Sequence, residues 1–373
     1  MKQIFIPLLF WASFASAQFP QRNPTPNDTL QSVRISESND VTLSIYAPKA
    51  SEVTVIGDFL KEYKPLPLTR ADNGVWSVII PNLTPDVYTY DFTVDGVRTF
   101  DPRNNSYKES ENNLSNTFEL PGKEDDYCTI KDVPHGKVEV VWFSSPVLHK
   151  VGRMHVYTPP GYEKMKDKLP VLYLQHGGGD NDASWTTVGR ANFILDNLLA
   201  AGKIKQMIVV MPMGHPTPGF HMEAGINSDP YYEQLFNDII PYVESHYNVS
   251  TKSEDRAFSG LSMGGLQALN IALFAPEKFG YVLPLSTGYF PQQLKDLEEK
   301  HSDVLKNGKV NKLKLFRIAM GGEKDIAYQN GKNVLALFDK YGIKYQTAPT
   351  FPAGHTFLTW RHNLYDFAPL LFR

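Results

Sequence analysis

Residues 260–264 read Gly-Leu-Ser-Met-Gly and follow directly on an apolar, strand-like run at residues 256–258. The residues that come next, 264–273, carry apolar side chains at helical spacing. In a sharp turn between a strand and a helix, the serine backbone is strained and tightly packed. Glycines are therefore required two residues before the serine and two residues after it. The pattern predicts a nucleophile elbow that exposes the hydroxyl of Ser262.

A serine nucleophile needs a carboxylate and a histidine, and after an elbow of this kind they follow in that order along the chain. Of the ten histidines, His355 lies late in the sequence, in a glycine-containing loop that follows a strand-like run at residues 344–351. The carboxylate should follow the preceding strand, which is predicted at residues 313–320. We assign the carboxylate to Asp325. Glu323 is its rival, because either carboxylate can orient a histidine.

Acyl transfer also needs an oxyanion hole, in which two backbone N–H groups point at the negative oxygen of the tetrahedral intermediate. Met263, the residue after the nucleophile, supplies one of them. The second is expected from residues 176–180, which read His-Gly-Gly-Gly-Asp and follow an early strand predicted at residues 171–175. The glycines allow the backbone to approach an ester closely. His176 precedes the nucleophile in the chain, and we interpret it as a residue that braces this loop.

Together these elements predict an α/β fold, specifically an α/β-hydrolase. The same residues resemble those of carbohydrate esterase family 1, which contains feruloyl and acetylxylan esterases, over about the last two-thirds of the chain. The resemblance is carried by residues 260–265, 176–179, 322–325 and 354–355. It implies that Ser262, Asp325 and His355 form a catalytic triad. It also implies that the N–H groups of Gly178 and Met263 form the oxyanion hole.

The earlier part of the chain has a different character, with short segments in which apolar and polar residues alternate, as is typical of half-buried strands. These segments lie at residues 41–46, 53–59, 75–79 and 88–94. We expect a small all-β immunoglobulin-like sandwich at residues 29–121, similar to the early-set domains related to family 48 carbohydrate-binding modules. A linker at 122–133 and the hydrolase domain at 134–373 should follow. Trp76 and Tyr90 are candidates either for stacking on a sugar ring or for the core of the sandwich.

The first residues of the chain have the pattern of an export signal and are not expected to be part of the fold. Lys2 is followed by a short apolar run at residues 4–14 and by Ala-Ser-Ala at residues 15–17. This is the pattern of a secretory signal peptide at residues 1–17. Gln18, rather than a cysteine, follows the expected cleavage site, so no lipid anchor is predicted. We expect a flexible arm at residues 18–28 and a periplasmic or secreted protein.

Composition excludes several classes of function. The formal net charge is -3 without basic clusters, which argues against binding to nucleic acid or to anionic membranes. Cys128 is the single cysteine, so an intrachain disulfide cannot form. The sequence shows neither metal-ligand spacing nor a phosphate-binding loop, and no cofactor or metal is expected. The oligomeric state stays open.

The loops after the strands contain aromatic side chains that suit an aromatic acyl group. The candidate substrate-binding residues are Trp185, Phe220, His221, Tyr231, Tyr289 and Trp360. The leading hypothesis is a feruloyl esterase that releases hydroxycinnamic acids from plant cell-wall polysaccharide such as arabinoxylan, or from its feruloylated or acetylated oligosaccharides. The alternatives are an acetylxylan esterase, a siderophore esterase, an enzyme that transfers the acyl group to a sugar, and a catalytically inactive glycan-binding protein.

Overall fold

A computed structural model describes residues 22–60, 64–122, 127–216, 224–227 and 229–373. The predicted signal peptide lies outside the described residues, as do residues 18–21 of the predicted arm. Phe220 and His221 lie outside them as well. In the described part of the arm, Pro26–Asp28 forms a short 3-10 helix.

The first part of the chain is a sandwich of two antiparallel sheets. One sheet has the order β1-β2-β6-β5, and the other has the order β4-β3-β7-β10-β9, with β8 pairing with β7. The strands are β1 Val33–Ile35, β2 Val41–Tyr46, β3 Val53–Gly57, β4 Leu66–Pro67, β5 Thr69–Arg70, β6 Val75–Ile80, β7 Asp86–Val94, β8 Val97–Thr99, β9 Tyr107–Glu109 and β10 Leu114–Leu120.

Alternation along these strands buries one face of each sheet, as the sequence predicts. Val41, Leu43 and Ile45 of β2 pack in the same core as Trp76 and Tyr90. The Trp76 indole N–H donates to the carbonyl of Ala47 (2.9 Å), and the Tyr90 hydroxyl donates to Asp101 (2.6 Å). Both aromatic residues therefore belong to the core of the sandwich, and neither ring is available to stack on a sugar.

The second part of the chain is built on a mixed sheet with the order β11-β12-β14-β13-β15-β16-β17-β18 among the described residues. The first two pairings, β11 with β12 and β12 with β14, are antiparallel, and the others are parallel. The strands are β11 Lys137–Ser145, β12 Lys150–Thr158, β13 Val171–Gln175, β14 Ile208–Pro212, β15 Arg256–Leu261, β16 Tyr281–Leu285, β17 Leu315–Ile318 and β18 Gln346–Thr347.

Helices cover both faces of this sheet, so the central strands are buried on both sides and are almost continuously apolar. The helices are α1 Ser184–Thr187, α2 Ala191–Ala200, α3 Pro230–Gln234, α4 Ile240–His246, α5 Met263–Phe274, α6 Pro291–Lys300, α7 Ser302–Lys306, α8 Tyr328–Tyr341 and α9 Phe357–Phe367, with a π-helical turn at Leu235–Ile239 between α3 and α4. One core cluster lies on each face. Within the described ranges, no helix combines the length and the hydropathy that a membrane span requires.

Strand register brings the predicted functional loops together at one edge of the sheet. Gln175, the last residue of β13, pairs with Gly260 of β15, so the loop after β13 lies beside the elbow after β15. A bridge between Gly321 and Phe351 joins the segments after β17 and β18. The carboxyl ends of parallel strands are where α/β proteins place their ligands. The α/β-hydrolase fold, preceded by an all-β sandwich, is therefore confirmed.

Candidate active site

The turn between β15 and α5 has the geometry of a nucleophile elbow. Ser262 has φ 53° and ψ -112°, a backbone conformation that a non-glycine residue rarely adopts. A Cβ atom on Gly260 would lie 2.4 Å from the carbonyl oxygen of Gly264, and one on Gly264 would lie 2.5 Å from that of His176. Both glycines are needed because backbone approaches them this closely, and the strained turn leaves the serine side chain at the sheet edge.

Three side chains from separate loops form a hydrogen-bonded chain. The Ser262 Oγ lies 3.0 Å from Nε2 of His355. The Nδ1 atom of His355 lies 2.7 Å from Oδ1 of Asp325. Glu323, the rival acid, is exposed instead. The structure therefore brings together the serine, the histidine and the preferred carboxylate named from the sequence.

Asp325 is held as an ionised acceptor. Its side chain is only 3% exposed, and its Oδ2 and Oδ1 atoms accept the N–H groups of Gly321 (2.9 Å) and Ala327 (2.9 Å). Burial by itself raises the pKa of this carboxyl, but hydrogen bonds from His355 and from the loop backbone outweigh it and hold the pKa below its usual value. A carboxylate fixed in this way keeps the proton of His355 on Nδ1, which leaves Nε2 free to accept one from the serine.

The glycine-rich loop after β13 is braced by His176, as predicted. Its Nδ1–H donates to the carbonyl of Gly177 (2.7 Å), and its Nε2 accepts the N–H of Gly214 (2.8 Å). Burial lowers the pKa of this imidazole to about 4, so it is neutral at pH 7. Gly178 in this loop and Met263 after the nucleophile both line a cavity that contains Ser262. This is where the two predicted oxyanion donors would have to lie.

Residues 145–371 match the family model described as a putative esterase. The chain belongs to this esterase family. In addition, residues 30–108 match the model of carbohydrate-binding module 48, the isoamylase N-terminal domain. These matches confirm the resemblance predicted from the sequence, in which an esterase domain follows a module of this type.

The esterase is similar to the endo-1,4-beta-xylanase/feruloyl esterase of Xylanibacter ruminicola, with 34% identity over 314 residues that cover 82% of this chain and 41% of that protein. It is also similar to the endo-1,4-beta-xylanase Y of Acetivibrio thermocellus, with 28% identity over 59% of this chain and 22% of that protein. The chain thus spans less than half the length of these curated relatives.

Solved structures share the fold of the esterase. A feruloyl esterase module from Clostridium thermocellum, solved with sinapinate, matches with a TM-score of 0.57 and 21% identity over 71% of this chain and 96% of the module. The enterobactin esterase of Shigella flexneri, solved with enterobactin, matches with a TM-score of 0.67 and 18% identity over 92% of this chain and 98% of its own.

Two cavities that the described residues form flank Ser262 in the esterase, and both also contain His355 and Gly178. The first, of about 520 Å³, has apolar walls that include Met263, Leu266 and Ile326. The second, of about 230 Å³, is lined by charged and aromatic side chains from both domains. The two linings share Ser262, His355 and Gly178 and differ in all their other residues.

The prediction that Trp185, Tyr231 and Tyr289 contact the substrate is wrong. These side chains are at most 1% exposed, and each polar atom is used inside the protein. The Trp185 N–H donates to the carbonyl of Gln175 (3.0 Å), the Tyr231 hydroxyl lies 2.6 Å from the amide of Gln175, and the Tyr289 hydroxyl donates to Asn270 (2.6 Å). They belong to the core clusters on the two faces of the sheet, because large aromatic rings that follow central strands fill the space between the sheet and its helices.

Trp360 lines the smaller cavity and meets the His355 ring edge-on at 5.0 Å between centroids, and its contact with substrate stays a prediction. Two further groups of residues line the cavities and were not predicted from the sequence. Leu266 lies one helical turn after Ser262, so its spacing from the nucleophile could have identified it as a cavity residue. Asp58, Thr89 and Lys108 have no such spacing, since they belong to the sandwich.

Proposed function

We propose that the protein is a serine carboxylic ester hydrolase. Ser262 is the nucleophile, His355 the general base and Asp325 the carboxylate that orients the histidine. The contacts from Ser262 to His355 (3.0 Å) and from His355 to Asp325 (2.7 Å) support the assignment, because they are the distances that proton transfer from a serine requires. The intact hydrogen bonds among these three side chains also argue against the alternative of an inactive glycan-binding protein.

The reaction proceeds in two steps. As His355 Nε2 takes the proton of Ser262, Oγ attacks the ester carbon, and the tetrahedral intermediate carries its negative charge toward the N–H groups of Gly178 and Met263. The bond to the alcohol oxygen then breaks, and the histidine delivers the proton to that oxygen. Water then attacks the acyl-enzyme by the same steps, and the acid is released. Asp325 stabilises the imidazolium that forms in each step.

The acyl group that fits best is aromatic, as in ferulate and other hydroxycinnamic acids. The observation that carries this assignment is the apolar cavity of about 520 Å³ beside Ser262. Its volume lies in the range of sites for small organic ligands, whereas an acetyl group needs only a small recess. Phe290 on its rim offers an aromatic edge to a planar ring. The feruloyl esterase activity in the name of the Xylanibacter ruminicola relative agrees with this choice.

The alcohol part is a plant cell-wall polysaccharide such as arabinoxylan, or an oligosaccharide derived from it. The names of both curated relatives include a xylanase, which supports a substrate of this class. A polysaccharide cannot enter a cell, so the proposal includes export by the predicted signal peptide at residues 1–17. Acetylxylan and siderophore esters are the competing substrates.

The test compares methyl ferulate, 4-nitrophenyl acetate, acetylated xylan and a catechol siderophore ester as substrates of the full chain. We expect rapid release of ferulate that disappears in Ser262→Ala and persists in Ser245→Ala, which removes an exposed serine hydroxyl on α4. Release of acetate alone would make the protein a deacetylase. Turnover that survives in Ser262→Ala, or no turnover of any ester, would contradict the mechanism.

A further inference from the structure

The smaller cavity beside Ser262 is built by both domains. The sandwich contributes Asp58, Thr89 and Lys108, which come from the segment after β3, from β7 and from β9. The hydrolase domain contributes residues of the glycine-rich loop and of the start of α9, among them Asp180 and Phe357. The sandwich therefore supplies part of the wall of the catalytic cleft.

The chemistry of these walls suits a polyhydroxylated ring. Lys108 Nζ lies 2.5 Å from Asp180 and 5.4 Å from the centre of the Phe357 ring. Asp58 accepts the N–H (2.9 Å) and the hydroxyl (3.0 Å) of Thr89. Carboxylates, an ammonium group and a hydroxyl can exchange hydrogen bonds with sugar hydroxyls. The rings of Phe357 and Trp360 provide apolar surface for the C–H face of a sugar.

The walls are also held in place by contacts between the domains. The backbone N–H of Glu111 donates to the carbonyl of Gly179 in the glycine-rich loop (2.9 Å). On the same hairpin, Glu109 accepts from Asn181 (3.1 Å) and pairs with Arg153 (3.2 Å). Polar groups that are fixed before the ligand arrives lose little conformational entropy when it binds. The position of the sandwich is thus set with respect to Ser262.

We propose that this cavity is the subsite for the alcohol part of the ester, and that its occupant is the sugar residue that carries the acyl group. The inference depends on the proposed function, because it takes the apolar cavity on the other side of Ser262 as the acyl site. In this arrangement the sandwich selects the leaving group directly at the catalytic centre. Lys108 and Asp58 bind hydroxyl groups of that sugar, and the aromatic rings contact its C–H face.

The test uses two esters of the same acid that differ only in the alcohol, methyl ferulate and a feruloylated arabinoxylo-oligosaccharide. The measured quantity is the ratio of kcat/KM for the sugar ester to kcat/KM for the methyl ester. Loss of hydrogen bonds to charged groups should lower this ratio about tenfold or more in Lys108→Met and in Asp58→Asn. Lys49→Ala removes an exposed lysine elsewhere in the sandwich and should leave the ratio at its wild-type value.

A wild-type ratio in both Lys108→Met and Asp58→Asn would overturn the subsite while leaving the hydrolase intact. If the wild-type protein cleaves only acetyl esters, the same ratio is taken between an acetylated xylo-oligosaccharide and ethyl acetate. If it cleaves no ester, the proposed function fails separately. In that case the subsite is judged by binding of the feruloylated oligosaccharide to Ser262→Ala, which Lys108→Met must weaken. Asp58→Asn preserves the volume of the side chain, so this variant still tests the subsite if Lys108→Met fails to fold.

Discussion

Asp58 should reduce the stability of the protein at neutral pH, and Asp58→Asn should increase it. Burial raises the pKa of this carboxyl from 3.8 to about 6, although its hydrogen bonds from Thr89 and the positive charges of Lys108 and Arg361 oppose the shift. The ionised form is thus less favourable in the folded protein than in the unfolded chain. Asparagine has nearly the same volume and keeps an acceptor for the Thr89 N–H.

The sign and the size follow from the two pKa values. Because the folded-state pKa is the higher one, the stabilising contribution of protonated Asp58 is fully present below about pH 4 and is lost as the pH rises through about 6. A difference of about two units corresponds to about 3 kcal/mol. Asp58 lines a cavity that solvent can enter, and screening reduces this figure, so we expect about 1–3 kcal/mol.

The assay is urea unfolding of the wild-type protein and of Asp58→Asn at several pH values between 4 and 8. The relevant quantity is the change across this range in the difference between their free energies of unfolding, because effects of the substitution that do not depend on pH cancel. The difference should move in favour of the variant by about 1–3 kcal/mol between pH 4 and pH 8. A constant difference, or one that moves in favour of the wild-type protein as the pH rises, would refute the reasoning.

Asp325→Asn should lower kcat by about 10⁴-fold with little change in the thermal midpoint, because an amide in place of the carboxylate favours the wrong tautomer of His355. A loss of kcat below tenfold, or full activity with Glu323 acting in place of Asp325, would contradict the assigned role. Arg361→Leu should destabilise the protein by about 3–5 kcal/mol, since it leaves the buried Asp86 of the sandwich without its ion-pair partner. Urea unfolding of both single variants and of Arg361→Leu with Asp86→Asn measures the coupling, and additive losses would show that the pair contributes nothing across the domain boundary.

Sequence patterns located the catalytic centre because its requirements are local. Ser262 needs glycines on both sides of a strained turn, and His355 and Asp325 each need a loop directly after a strand. The β-sandwich was predictable for a similar reason, since alternation along β2 and β7 already specifies which faces are buried. In such cases the neighbours in the chain determine the structure, so the spacing of residue types is informative.

The lining of the cleft was not predictable, because it depends on which way a side chain faces once helices and domains have packed. Trp185 and Tyr231 follow central strands, as pocket residues do, yet both rings are part of the buried core. Lys108 lies in a polar stretch of the sandwich that has no catalytic pattern. Its place in the cleft results from the docking of one domain on another. Its partners Asp180 and Phe357 lie in distant parts of the chain, so no periodic signal reports these contacts.

The hydrogen bond from Glu111 to the carbonyl of Gly179 joins the sandwich to the very loop that carries Gly178. For protein engineering, this means that the accessory domain is not a detachable part. Cutting the chain between the domains would remove the backbone donor to the Gly179 carbonyl and the side of the smaller cavity that the sandwich supplies. Under the proposed assignment of the smaller cavity to the sugar, grafting the sandwich of a related enzyme onto this hydrolase domain would also transfer part of that enzyme's preference for the alcohol.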